Sequence, residues 1–170
     1  MDAGKDDKPA PARYRTSVER KSARELVVTR SFNAPPPLVF KAWTTPRLLM
    51  RWWAPKSFGI SFVSCEADVR VGGSYRFVFS HPASAQPMAF FGKYIEVIPN
   101  ARLAWTNEEG GEAGAVTTVT FEQRGDETLV VLHDLYPSKE ALDAAIASGS
   151  ACGFEETFAQ LDDFLAAPAP

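Results

Sequence analysis

At 170 residues, with 45% hydrophobic and 23% charged side chains, the chain has the size and balance of one globular domain, able to bury about 70% of the surface its unfolded form exposes. A net charge of -3 and a pI near 5.4 supply no basic field for nucleic acid, and no apolar run approaches the roughly 20 residues that a bilayer span needs. The opening Met1-Asp2-Ala3-Gly4-Lys5 lacks the basic-then-apolar order of a secretory signal, which points to the cytoplasm and to Cys65 and Cys152 as reduced thiols.

Residues 1–22 mix Lys, Asp, Pro, Ala and Arg without period, and are expected to form a disordered or loosely attached arm ahead of one domain over 23–167. Val27, Val28 and Thr29 favour a first strand from Glu25 to Phe32, which Asn33-Ala34-Pro35-Pro36-Pro37 stops, since proline cannot donate to a ladder. Leu38, Val39, Ala42 and Trp43 make a short helical stripe. Thr45-Pro46 reads as an N-cap followed by proline at the first helical position, opening a second short helix through Trp53 that Pro55 ends. Neither helix is long enough to stand alone.

Strands follow. In Ser61 to Arg70 the odd positions Val63, Cys65, Ala67 and Val69 are apolar, the alternation of a half-buried strand. Gly72-Gly73 turns the chain into Ser74 to Ser80, with Tyr75, Phe77 and Phe79 on one face. A longer strand covers Met88 to Ile98, Pro99-Asn100 turns it into Arg102 to Thr106, and a loop from Asn107 to Gly114 leads to a hairpin, Ala115 to Arg124 and Glu127 to Leu135. Gly125-Asp126 is a two-residue hairpin turn, and it sets a register. If Arg124 pairs with Glu127, then Phe121 opposes Val130, Val119 opposes Leu132 and Thr117 opposes Asp134 on the apolar face, with His133 on the other. One bulge would reverse this assignment.

Ser138 can cap a short helix through Ala147, and Ser148-Gly149-Ser150 breaks it before the principal helix, Ser150 to Ala167. There Phe154, Phe158, Leu161 and Leu165 form an amphipathic stripe. Leu161 and Leu165 are expected to seal the core, and Phe154 and Phe158 to face a pocket.

No catalytic residue, metal or cofactor is expected. His81 and His133 have no partners at ligand spacing, Gly72-Gly73 sits between strands rather than in a phosphate loop, and neither cysteine has an evident histidine partner.

The chain resembles a known family through Arg30-Ser31-Phe32-Asn33-Ala34-Pro35 and Val39-Phe40-Lys41-Ala42-Trp43-Thr44. The likeness continues through Pro46, Leu49, Trp52-Trp53-Ala54-Pro55, Asp68-Val69-Arg70-Val71-Gly72-Gly73-Ser74-Tyr75 and Gly92-Lys93-Tyr94. It is similar to the proteins related to the activator of Hsp90 ATPase, the AHSA1 type of the SRPBCC (START/Bet v 1-like) superfamily. The resemblance implies an α+β helix-grip fold: a curved antiparallel sheet wrapped around a long C-terminal helix, with two short helices after the first strand. Two positions depart from the family pattern, Phe154 after Gly153 where Trp is frequent, and Asp134 where His or Gln is frequent.

The resemblance also implies a cavity between sheet and helix. Its wall would comprise Trp52, Trp53, Phe77, Phe79, Trp105, Phe154 and Phe158, with Asp134, Tyr75 and Tyr94 as its polar groups. Packing accounts for any one ring, but twelve Phe, four Trp and four Tyr together favour a pocket for a small hydrophobic molecule, a lipid or an aromatic. The leading expectation is a non-catalytic carrier or sensor. The alternatives are a cyclase- or hydrolase-like enzyme in which Asp134 or Tyr94 handles a proton, and, ranked last, an Hsp90-type chaperone cofactor. A homodimer is compatible with each.

Overall fold

The structure, a computed structural model, describes residues 11–109, 114–149 and 153–167. Its frame is an eight-stranded antiparallel sheet of β1 (Ser17–Arg20), β2 (Glu25–Phe32), β3 (Ser61–Ala67), β4 (Ser74–Ser80), β5 (Met88–Ile98), β6 (Arg102–Thr106), β7 (Val116–Arg124) and β8 (Glu127–Leu135). The spatial order is β1-β2-β8-β7-β6-β5-β4-β3, so the sheet stays open, with β1 and β3 at its edges. Helices α1 (Pro36–Thr44) and α2 (Pro46–Trp52) follow β2, and α3 (Lys139–Ala147) and α4 (Phe154–Ala166) follow β8. This is the α+β helix-grip arrangement, with α1, α2 and α4 supplying the helical side of the core.

The turns follow from local chemistry. Gly125 has φ 62° between β7 and β8, as a hairpin turn with glycine first requires. At Ile98-Pro99-Asn100-Ala101 the Ala101 N–H bonds the Ile98 carbonyl and Asn100 has φ 61°, the pattern of a type II turn with proline at its second position. The β7–β8 register runs Arg124 to Glu127, Phe121 to Val130, Val119 to Leu132 and Thr117 to Asp134. Val119, Phe121, Val130 and Leu132 are accordingly in the core and His133 lies on the outer face, paired with Glu25 at 2.9 Å.

Two bulges re-aim side chains. The β3–β4 register shifts between Phe62 and Ser64, and this corrects the inward placement of Val63. Val63 points to solvent, 60% exposed, while Phe62 packs 4.4 Å from Phe79 and Cys65 still faces the core. The β5–β6 register shifts between Tyr94 and Glu96, so that Val97, which strict alternation from Tyr94 would turn outward, packs on the core with it while Ile95 stays outside. Such one-residue insertions are the standard way to reverse a strand's alternation. Gly92 allows the same strand to approach its neighbour, because a Cβ there would lie 2.0 Å from the Thr106 carbonyl oxygen.

Other differences are local. The second half of the arm is ordered: Ser17–Arg20 pairs with β2 as an exposed edge strand, and Arg20 reaches Asp143 of α3 at 2.7 Å. Its charged residues suit an edge that must not recruit another strand. β3 ends at Ala67 rather than Arg70. Thr45 holds the N-cap position of α2 without a side-chain capping bond, whereas Ser138 accepts from the Ala141 N–H at 3.1 Å. Arg30 lies on the inner face of β2, held by Asp162 of α4 at 3.2 Å. The readings that concern residues 1–10, the loop residues 110–113, Ser150 and Cys152 lie outside the described residues.

Candidate functional site

Aromatic residues dominate the space between sheet and helices because α1 and α2 each deliver tryptophan to the same point. Trp43 of α1 stands 4.9 Å from Trp52, 5.6 Å from Trp53 and 6.1 Å from Phe158, measured between ring centres. Most of these pairs meet edge to face, the arrangement that ring quadrupoles favour. Trp52 is fully buried and its indole N–H donates to the Ala42 carbonyl at 3.1 Å, which fixes α2 on α1. The Trp43 indole nitrogen is buried without a hydrogen-bond partner among the described residues.

Two neighbouring cavities lie among these rings. The larger, about 270 Å³, is lined by residues of α1, α2, the α2–β3 connection, β4, β5, β8 and α4. Trp52, Trp53, Phe79, Phe154 and Phe158 are on its wall, and among its described lining residues Thr157 supplies the one side-chain oxygen. The smaller, about 90 Å³, is lined by Leu49, Trp53, Tyr75, Phe77, Tyr94, Trp105 and Asn107, among others. Trp43, Trp53 and Phe90 line both.

Asp134 is the exception among the sequence-derived wall residues. It is buried on the inner face but lines neither cavity. It is instead the end of a polar chain: Asn107 Nδ2 donates to Thr117 Oγ1 at 3.0 Å, and Thr117 Oγ1 donates to Asp134 Oδ1. Burial raises its carboxyl from an ordinary 3.8 to about 6, against the opposing effects of the Thr117 hydrogen bond and His133. Burial likewise drives the hydroxyls of Tyr75 and Tyr94 well above their ordinary range and the Cys65 thiol up to about 11. Tyr75 donates to the Thr106 carbonyl at 2.7 Å. Among the described residues no group of three His, Cys, Asp or Glu comes together.

Sequence reasoning missed Gln160 and Glu156, one helical turn apart on α4. Gln160 Nε2 donates to the carbonyls of Trp52 and Ala54 at 2.9 Å each, and its Oε1 accepts from the Lys56 N–H at 2.9 Å. Glu156 accepts from the Ser57 N–H at 3.0 Å. Together they clamp α4 to the segment carrying Trp53, Ala54, Pro55 and Phe58 of the larger cavity's wall. The only sequence signal was a polar pair at i, i+4, indistinguishable from a solvated face. Gln160→Ala is expected to cost about 2 kcal/mol, less than the sum of its bonds because the site is partly solvated. It should also speed hydrogen exchange at the Lys56 amide selectively, which NMR would read.

The description of the activator of Hsp90 ATPase homolog 1-like proteins matches residues 33–166. The chain belongs to this family. Among AHSA1-like and related folds, it is similar to a solved protein from Rhodobacter sphaeroides, at 27% identity and TM-score 0.82, covering 91% of this chain and 99% of that one. A Nitrosomonas europaea protein is 23% identical with TM-score 0.76, over 86% and 96% of the two chains. An AHSA1-like protein from Aeromonas hydrophila shares the fold at 16% identity and TM-score 0.65, over 85% and 99%. No curated protein matches the chain significantly in sequence. The AHSA1 assignment places the chain in the SRPBCC superfamily, on a fold used for ligand binding or for Hsp90-cofactor roles. No helix among the described residues is long and apolar enough to cross a membrane.

Proposed function

We propose that the protein is a non-catalytic carrier or sensor that takes a small, largely apolar molecule into the larger cavity. The observation that carries this reading is the wall itself, about 270 Å³ of space bounded by aromatic and aliphatic side chains, with Thr157 as the one side-chain oxygen among its described lining residues. An enclosed apolar cavity of about 150 Å³ already takes benzene, so a bicyclic aromatic or a short lipid chain is a suitable size. A ligand losing roughly 200 Å² of apolar surface would gain about 5 kcal/mol before association costs, enough for weak to moderate affinity.

Binding is favoured over catalysis by what the walls hold. Asp134 lies behind Thr117 and Asn107 rather than on a wall, and the wall hydroxyls of Tyr75 and Tyr94 stay protonated near neutral pH. General acid–base work needs a group poised near the working pH and within reach of substrate. Native mass spectrometry of gently purified protein, combined with a thermal-shift screen of lipids and small aromatics, tests the proposal. A bound mass or a rise in melting temperature with aromatics is expected. No adduct and no shift across the panel would remove it, and capture of an Hsp90-type chaperone instead would move the protein to the cofactor role.

A further inference from the structure

We infer that the two cavities form one divided site, and that its ligand is an uncharged molecule with an apolar body in the larger cavity and a hydroxyl directed at Asn107 in the smaller. This rests on the binding role proposed above and adds the chemical class of the ligand. Three observations lead to it. The cavities share Trp43, Trp53 and Phe90 on their walls, so they are neighbours across these rings. Trp53 is half-buried and Phe90 is exposed, so these two shared rings also border solvent.

Neither wall carries a charged side chain. A buried carboxylate or ammonium would have no countercharge there, and an uncompensated buried charge is strongly disfavoured. Free fatty acids and amines are therefore poor occupants.

The third observation concerns the polar groups of the smaller cavity. Asn107 is anchored through its amide nitrogen, which donates to the Ala115 carbonyl at 2.9 Å and to Thr117 Oγ1 at 3.0 Å. Among the described residues its carbonyl oxygen has only a 3.4 Å contact with the Tyr75 hydroxyl, whose proton goes to the Thr106 carbonyl at 2.7 Å. Oδ1 is thus an acceptor held in place and left with free capacity. The partner it fits is a donor, and in an uncharged ligand with an apolar body the simplest donor is a hydroxyl. About 90 Å³ accommodates such a head but not a second ring.

Three probes on one ring system separate the possibilities: 2-naphthylmethanol, its near-isostere 2-ethylnaphthalene and 2-naphthoate, titrated at pH 7.5 by NMR and calorimetry. The alcohol is expected to bind about tenfold more tightly than 2-ethylnaphthalene, the factor that one satisfied buried hydrogen bond supplies, and the carboxylate to show no measurable binding. The Asn107 side-chain amide resonances should move more with the alcohol than with 2-ethylnaphthalene. Asn107→Ala should abolish the preference for the alcohol. The amide resonances give the answer in the wild-type protein if that variant fails to fold. Equal affinity for alcohol and 2-ethylnaphthalene, or binding of 2-naphthoate as tight as the alcohol, overturns the head-group assignment while leaving the apolar site standing. Failure of all three to bind overturns both.

Discussion

Replacing Phe158 with alanine is expected to destabilise the protein by about 3 to 5 kcal/mol, and replacing Leu165 by only about 1 kcal/mol. Phe158 is 1% exposed and meets Phe32 at 5.6 Å, Trp43 at 6.1 Å and Phe154 at 6.3 Å. Its removal strips contacts from three rings at once in a region that α1, β2 and α4 hold from different sides, so the walls cannot collapse to fill the gap. Leu165 is half-buried near the end of α4 and has less apolar area to lose. Guanidinium unfolding should show a lower midpoint for Phe158→Ala at unchanged m value, the sign of a stability change without a change in the surface exposed. Because Phe158 also lines the larger cavity, the variant should accept bulkier aromatic probes than the wild type. Equal losses for the two variants would mean that α4 is held along its whole stripe rather than through its first two turns.

The expectation that Leu161 and Leu165 seal the core while Phe154 and Phe158 face a pocket changes at two positions: Phe158 is core as well as wall, and Leu165 is only half-buried. The stripe was legible, but periodicity specifies a face and not the depth of burial along it. Leu161 and Phe158 are fully buried, whereas Phe154 and Leu165 are half-buried. Phe158 serves as wall and core together. The strands show the same limit. Turn chemistry at Gly125-Asp126 fixed the hairpin register residue by residue, since glycine at the first turn position leaves little choice of pairing. The bulges at Val63 and Ile95 left no comparable mark. Val and Ile are ordinary strand residues, and which one is extruded depends on how the neighbouring strands curve.

For the candidate site, the aromatic members were legible because large rings at inward positions have few other places to go. Trp53, Tyr75, Phe77, Tyr94 and Trp105 line the smaller cavity, and Trp52, Trp53, Phe79, Phe154 and Phe158 the larger. Asn107 and Gln160 were not legible. One sits in a loop and the other on a helix face that pattern assigns to solvent, and both matter through backbone partners, Gln160's more than 100 residues away and Asn107's at the far end of its own loop. Hydrogen bonds to main chain carry no sequence signature, because every residue offers the same carbonyl and N–H.

Asp134→Asn is expected to stabilise the protein by about 3 kcal/mol above pH 7 and by nearly nothing at about pH 3. Burial raises the carboxyl's pKa in the folded protein from 3.8 to about 6, so the folded state holds its proton more tightly than the unfolded state does. Stability from this group is therefore fully present below about pH 4, declines as pH rises through about 6, and becomes a constant cost once the carboxylate must be buried charged. The asparagine side chain keeps the shape and offers a carbonyl oxygen to the Thr117 hydroxyl, which already donates at this position, but never ionises. The difference in unfolding free energy between variant and wild type should open between pH 4 and 6 and then level off. Taking that difference cancels the titrating groups that do not interact with Asp134. Parallel stability curves would show that the Asp134 carboxylate is solvated in the folded protein. A variant less stable at every pH would show that Asp134 holds partners only a carboxylate can satisfy. Either result would separate Asp134 from the apolar interior around it, whereas the expected one identifies it as a polar group retained at the core's expense beneath the Asn107 end of the site.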